Sequence, residues 1–328
     1  MPRATWLSIA ASAALLLVAM LLGVAWGTEP VSLSSAMSDP ASLDRLIVIG
    51  VRLPRVLLGA IAGAGLAIVG GAFQAVLRNP LAEPYVLGVS GGAALGATCA
   101  LLLGIGGTTI LGASLVPLAA LGGGLGATAF VYGLARASRG AQSTSILLAG
   151  VVVNAIASAA ITFLKTLVTA SKAQELLFWL MGFLDVPSRT SLAMVFAYVT
   201  LGAAILLADA GRLNLLALGD ESAAHLGVDV RALERRVFVA CSLVTGAIVS
   251  VTGLIGFIGL IVPHALRRVL GPDNRTLLPA SLLCGGATLV VCDLASRALF
   301  RWLHTEPPVG AVTALVGGPL FLVLLRRR

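Results

Sequence analysis

The sequence predicts an all-α integral membrane protein with about ten transmembrane helices and both termini on the inner side of the bilayer. Three observations carry that expectation. Mean hydropathy is +1.02. Only 11% of the 328 residues are Asp, Glu, Lys or Arg, where soluble domains carry about a quarter. Those few charges are clustered, so long charge-free runs alternate with short charged connections. With so little polar surface to offer water, the chain must face lipid. The 38 glycines fit that setting, because small residues let membrane helices approach closely. The net charge of +8 follows from basic residues collecting in inner loops. No basic run is interleaved with aromatics, so no nucleic-acid partner is expected.

A helix needs about 20 apolar residues to cross a bilayer, and a charge at its centre costs about 2.5–3.5 kcal/mol. Charge-free runs therefore mark spans, expected at 4–28, 52–77, 88–104, 109–135, 142–165, 190–209, 233–252, 255–267, 277–300 and 307–325 of a single transmembrane domain, 1–328. The first has the basic start of a signal peptide, but its 25 uncharged residues are long enough to span, and an uncleaved helix is expected. Residues 84–135 are 52 positions without a charge, too many for one helix, and Gly104, Gly106 and Gly107 divide them. Residues 237–266 are long for one helix and short for two. Gly253, Gly256, Gly259 and Pro263 interrupt them, which predicts a full helix, a tight turn and a short returning helix. This arrangement puts 14 of the 22 Lys and Arg residues on the inner side and supports the orientation. Glycine pairs four apart, Gly59/Gly63, Gly92/Gly96 and Gly122/Gly126, are expected at close helix contacts. Cys99, Cys241, Cys284 and Cys292 lie in apolar runs without a C-x-x-C and are expected to pack as small hydrophobes.

Charge and polar motifs supply the functional reading. Residues 212–236 hold eight of the 36 charged residues in 25 positions. Asp220 is expected to cap a short helix ending at Gly227, and Asp229 a second helix starting at Val230. That stretch reads either as a solvated loop or as an inner-side knob for a soluble partner. At the outer mouth of the second span, Arg52 and Arg55 share a helix face, with Asp39 and Asp44 as nearby acids and Arg297 and Arg301 able to join the patch. They read either as snorkelling arginines or as a dock for acidic groups. Gln74, Arg78, Asn79, Pro80 and Pro84 enforce an extended connector, and Gly88 restarts the chain. Asp293 is expected to pair with Arg297 one turn on. Lys165 and Lys172 do not follow glycine, so no phosphate loop exists. His225, His264 and His304 are scattered, and no metal site is expected. A carrier driven by an ion gradient, acting without an ATPase, is the alternative. It would need intramembrane acids beyond the paired Asp293.

Motifs in order resemble one family. They are RLPR at 52–55, Gln74 with RNPLAEP at 78–84, LG at 87–88, Ser143-Thr144-Ser145, and WLMG at 179–182. LGDESAAHLGV at 218–228, GLIGFIGLIVPHALRR at 253–268 (with Gly256, Pro263 and His264), Asp293 with Arg297, and EPPVGAVTALVGGPLFLVLL at 306–325 follow. Together they resemble the FecCD-type permeases of ABC importers for iron-siderophore, haem and vitamin B12. Pro307 departs from the family's usual aliphatic residue. The resemblance implies a vitamin B12 permease-like fold in a bacterial inner membrane, a homodimer, two ABC ATPase subunits and an external substrate-binding protein. It implies no catalytic residue and no cofactor on this chain, since ATP and Mg belong to the ATPase. It assigns Arg52, Arg55 and Arg297 to docking of the binding protein, and coupling helices at about 213–232 to the ATPase, with Gly219, Asp220, Glu221, Ala224, Leu226 and Gly227 in contact. Ser143, Thr144 and Ser145 are assigned to a cytoplasmic gate.

Overall fold

The computed structural model describes residues 3–104, 109–110, 113–137 and 143–326. Helix α1 (Arg3–Ala25) is followed by short helices α2 (Leu33–Ser38) and α3 (Leu43–Ile47). A π-turn then leads into α4 (Leu53–Val76). A 3-10 turn, Pro84–Leu87, precedes α5 (Val89–Leu102). A two-residue hairpin, β1 (Thr109–Ile110) and β2 (Ala113–Ser114), links it to α6 (Leu115–Ala137). Then come α7 (Ser143–Lys165), α8 (Ala170–Met181), α9 (Arg189–Ala208), α10 (Ala210–Leu216), α11 (Asp220–His225), α12 (Val230–Thr252), α13 (Ile258–Leu270), α14 (Asn274–Leu303) and α15 (Val309–Arg326).

Each expected span coincides with a helix. Seven are long and apolar enough to cross by themselves, and α5, α13 and α15 are shorter. Helix α8 lies where no span was expected. Lys172 and Glu175 interrupt its apolar pattern, and its 12 residues are too few to cross. The turn expected between α12 and α13 is instead a five-residue non-helical segment, 253–257.

The two ends of α1 fix the orientation of the bundle. Thr5 meets Thr276 at the start of α14, and the Gly23 and Trp26 carbonyls accept from Arg297 near its end. The two helices therefore run parallel. Helix α15 follows α14 through a short connection and returns, so both chain ends share the face that carries α10 and α11. Asn214 of α10 reaches Asp273 and Asn274 on that face.

At the centre lies α4, buried along almost its whole length. Its Gly and Ala residues let backbones touch. A Cβ on Gly63 would strike the Gly285 carbonyl of α14, and one on Gly285 would strike Ala67 and the Gly63 carbonyl. Helices α5 and α6 cross in the same way through Gly92 and Gly123. The expected Gly122/Gly126 contact is absent, since added Cβ atoms there would meet nothing within 4 Å. Gly123, one position on from Gly122, faces α5 instead.

Gly63→Val should lower thermal stability in detergent by about 1–3 kcal/mol through overpacking against backbone. Gly122→Ala should be near neutral in the same melting assay, because its position is open.

Candidate functional site

On the inner face, Asp209 follows the last residue of α9 and is 2% exposed. It accepts from Arg212 one turn on and from both nitrogens of the Arg236 fork on α12, at 2.9 and 3.0 Å. Burial pushes this carboxyl up, but the hydrogen bonds and charges of Arg236 and Arg212 outweigh it and hold the group below its ordinary range. One side chain thus joins α9, α10 and α12. The sequence reading missed it, although an acid directly after an apolar run with Arg at i+3 is a legible signal.

Helix α11 hangs from this junction. Gly219, at φ +106°, supplies a backbone conformation that side-chain-bearing residues rarely adopt. Asp220 is not the N-cap expected of it. It is the first residue of α11, and its carboxylate pairs with Arg78 at the end of α4, 2.6 Å away. Asp229 does cap α12, accepting from the Ala232 N–H. Ala223 is fully buried against the body, whereas Glu221, Ala224, His225, Leu226 and Gly227 face outward. Leu218 and Leu226 are 63% and 57% exposed. The α11 region is therefore an apolar-tipped protrusion on a charged base.

On the outer face, the three arginines expected to dock a partner are turned inward. Arg52 is 4% exposed and donates to the Val24 and Ala25 carbonyls at the end of α1 and to the Glu29 carbonyl beyond it. Arg297 is equally buried, donates to Gly23 and Trp26, and pairs with Asp293 at 3.0 Å. Arg55 bridges Asp293 and Glu306 at 2.9 and 2.8 Å. The acids that form ion pairs with this patch are thus Asp293 and Glu306, while the charge of Asp44 acts on Arg52. Their contacts tie α1, α4, α14 and the approach to α15 together. Arg301 remains exposed.

Between the two faces, two non-helical segments meet at membrane depth. Asn154, midway along α7, donates to the Tyr85 carbonyl and accepts from the Gly91 N–H. Helix α5 therefore begins near the middle of the bundle. Its connector starts at the inner end with Asn79, whose side chain accepts from Leu81 and turns the chain before Pro80. Pro84 opens the 3-10 turn and Gly88, at φ +88°, closes it. The connector packs on segment 253–257. The Glu83 carboxylate accepts from the Phe257 N–H at 2.7 Å, and the Tyr85 hydroxyl accepts from Ile255 at 2.8 Å. Gln74 donates to the Gly259 and Leu260 carbonyls at the head of α13. Gly256 lies against Glu83, and Pro263 and His264 are buried in α13. Glu83, Tyr85 and Asn154 carry this junction, and only the proline pattern around the first two hinted at it. The side chains of Ser143 and Thr144 lie outside the described residues, and Ser145 is half-buried.

The sequence matches the FecCD transport family over residues 15–327. The chain belongs to that family. It is 41% identical to the cobalamin import system permease of Halobacterium salinarum, over 93% of this chain and 80% of that one. It is 36% identical to the hemin transport system permease of Yersinia pestis, over 86% and 84%. A solved structure described as an inward-facing conformation of a transporter assigned to the metal-chelate ABC type superposes with a TM-score of 0.86 at 30% identity. That match covers 98% of this chain and 99% of the other. The chain is thus a multi-pass permease subunit of the inner membrane, in a family where a separate ATPase hydrolyses ATP.

Asp293→Asn should destabilise the purified permease by roughly 3–5 kcal/mol, because Arg297 would be left buried without its counter-charge and Arg55 would keep Glu306 alone. Arg301→Ala should leave melting unchanged. The Asp209 carboxyl sits below its unfolded value, so its contribution is present above about pH 4 and is lost as pH falls through the folded value. Thermal melts of wild type and Asp209→Asn should therefore differ at neutral pH and converge in acid.

Proposed function

We propose that this permease moves a metal chelate (iron-siderophore, haem or cobalamin) inward by alternating access along the axis of a homodimer. A pair of cytoplasmic ATPases drives it, and an external binding protein delivers the ligand. The observation that carries this reading is the protrusion at α11. Exposed Leu218 and Leu226 project from a base in which Asp209 fastens α9 and α10 to α12. A force applied to α11 reaches two spans at once through that base and reaches α4 through Arg78.

In this reading Gly219, Asp220, Glu221, Ala224, Leu226 and Gly227 sit in the ATPase groove, and Ser143, Thr144 and Ser145 at the head of α7 form the inner gate. The binding protein docks on the outer face at Arg52, Arg55 and Arg297, with the exposed Arg301 able to join them. No step makes or breaks a bond in the ligand. The permease names among the relatives support a bulky chelate, and cobalamin recurs among them.

Proteoliposomes holding the permease, its ATPase and its binding protein should take up one of labelled cobalamin, haem or ferric citrate only with ATP inside. Scrambling residues 219–228 should abolish that uptake, and persistence would refute the coupling role. Leu226→Glu should cut co-elution of the ATPase by about tenfold or more, as expected of an apolar anchor at the centre of an interface.

A further inference from the structure

A cavity of about 560 Å³ opens at the inner end of the bundle, between the end of α4, helix α13, the start of α14 and the end of α10. Its lining includes Arg78, Arg267 and Arg268, with Gln74, His264 and Asn274. Three guanidinium groups border one cleft, and Arg78 pairs with Asp220. Among the described residues, the Arg267 Nη2 has no hydrogen-bond partner. Gln74 and Asn274 are 3% and 2% exposed, and each keeps a carbonyl oxygen without a partner.

The position of Arg78 is itself unusual. Its φ of +48° places a long side chain in the left-handed region, a conformation uncommon for residues other than glycine. The turn holds it there through hydrogen bonds from Arg78 to Ala75 and from Asn79 to Gln74. These are the bonds of a left-handed helix C-cap, and they fix the place from which the Arg78 side chain leaves the end of α4.

Exposed apolar side chains lie next to the lining in sequence. Leu81 follows Pro80 and Val269 follows Arg268, and they are 41% and 79% exposed. A charged recess with a greasy rim, at the inner end of a membrane bundle, matches a lipid in both its parts. Basic pockets between transmembrane helices on the cytoplasmic side bind anionic head groups.

We propose that this cleft binds an anionic phospholipid of the cytoplasmic leaflet, its phosphate held by Arg267 and Arg268 with Arg78 as the third cation. The unpartnered Gln74 and Asn274 oxygens suit the head-group hydroxyls of phosphatidylglycerol. An occupying phosphate shares Arg78 with Asp220, so the lipid loosens the tie between α4 and α11.

The test uses the full chain in mild detergent, titrated with fluorescent phosphatidylglycerol against phosphatidylcholine. The wild type should bind phosphatidylglycerol about tenfold or more tightly over phosphatidylcholine. Taking each cation as worth about fivefold near an anionic surface, the double variant Arg267→Gln/Arg268→Gln should lose about thirty-fold. Arg267→Lys/Arg268→Lys should keep most of the affinity. Equal binding of the two lipids by the wild type overturns the proposal without any variant, and so does a Gln double variant that binds normally. Displacement by equimolar inorganic phosphate would assign the cleft to free oxyanions and overturn the lipid. Displacement by the ATPase subunit would make it a protein contact and overturn it equally.

Discussion

Lipid supplies no hydrogen bonds, and the rest of this architecture depends on that fact. A helix satisfies its own backbone, but a broken helix at membrane depth must borrow partners from side chains. Among the described residues two such breaks, within 77–88 and at 253–257, are laid against each other. Glu83, Tyr85, Gln74 and Asn154 supply the missing donors and acceptors. Each break therefore completes the other, and α4, α5, α7 and α13 are positioned by one shared junction.

The two membrane faces are fastened by a different device. Each uses one buried carboxylate and two arginines, with Asp293 between Arg55 and Arg297 outside and Asp209 between Arg212 and Arg236 inside. Both carboxylates join helices distant in sequence, or helices that a connection would otherwise leave free. The outer cluster also recruits Glu306 and backbone carbonyls at the end of α1. Charge concentrated at the rims thus closes a bundle whose interior is held by glycine-mediated backbone contact.

Much of the fold was legible because charge is so costly in lipid that its absence outlines each span. The α8 helix escaped because Lys172 and Glu175 give it the look of a connection. The phase of α6 escaped for another reason. A run of glycines has no polar face, so nothing local distinguishes Gly123, which packs, from Gly122 and Gly126, which do not. The arginine cluster was visible as a cluster, and so was the pair of Asp293 with Arg297 one turn on, but the partners of Arg55 were not. Arg55 meets Asp293 and Glu306 across 238 and 251 residues of chain, and no local pattern encodes such a pairing. Residues 212–236 stood out because local density of charge is a property of the sequence itself. Their contacts with Arg78 and with the end of α9 came only with the fold.

The mid-bundle start of α13 bears on how the protein is made. Thirteen residues with Arg267 and Arg268 in the last turn reach about 20 Å, short of the roughly 30 Å hydrocarbon layer. Such a segment is a poor substrate for the insertion machinery when presented alone. It must enter as a hairpin with α12, and its head finds hydrogen-bond partners only after α4 and the connector behind it are already in place. The order of synthesis, with α4 emerging long before α13, is the order that this junction requires.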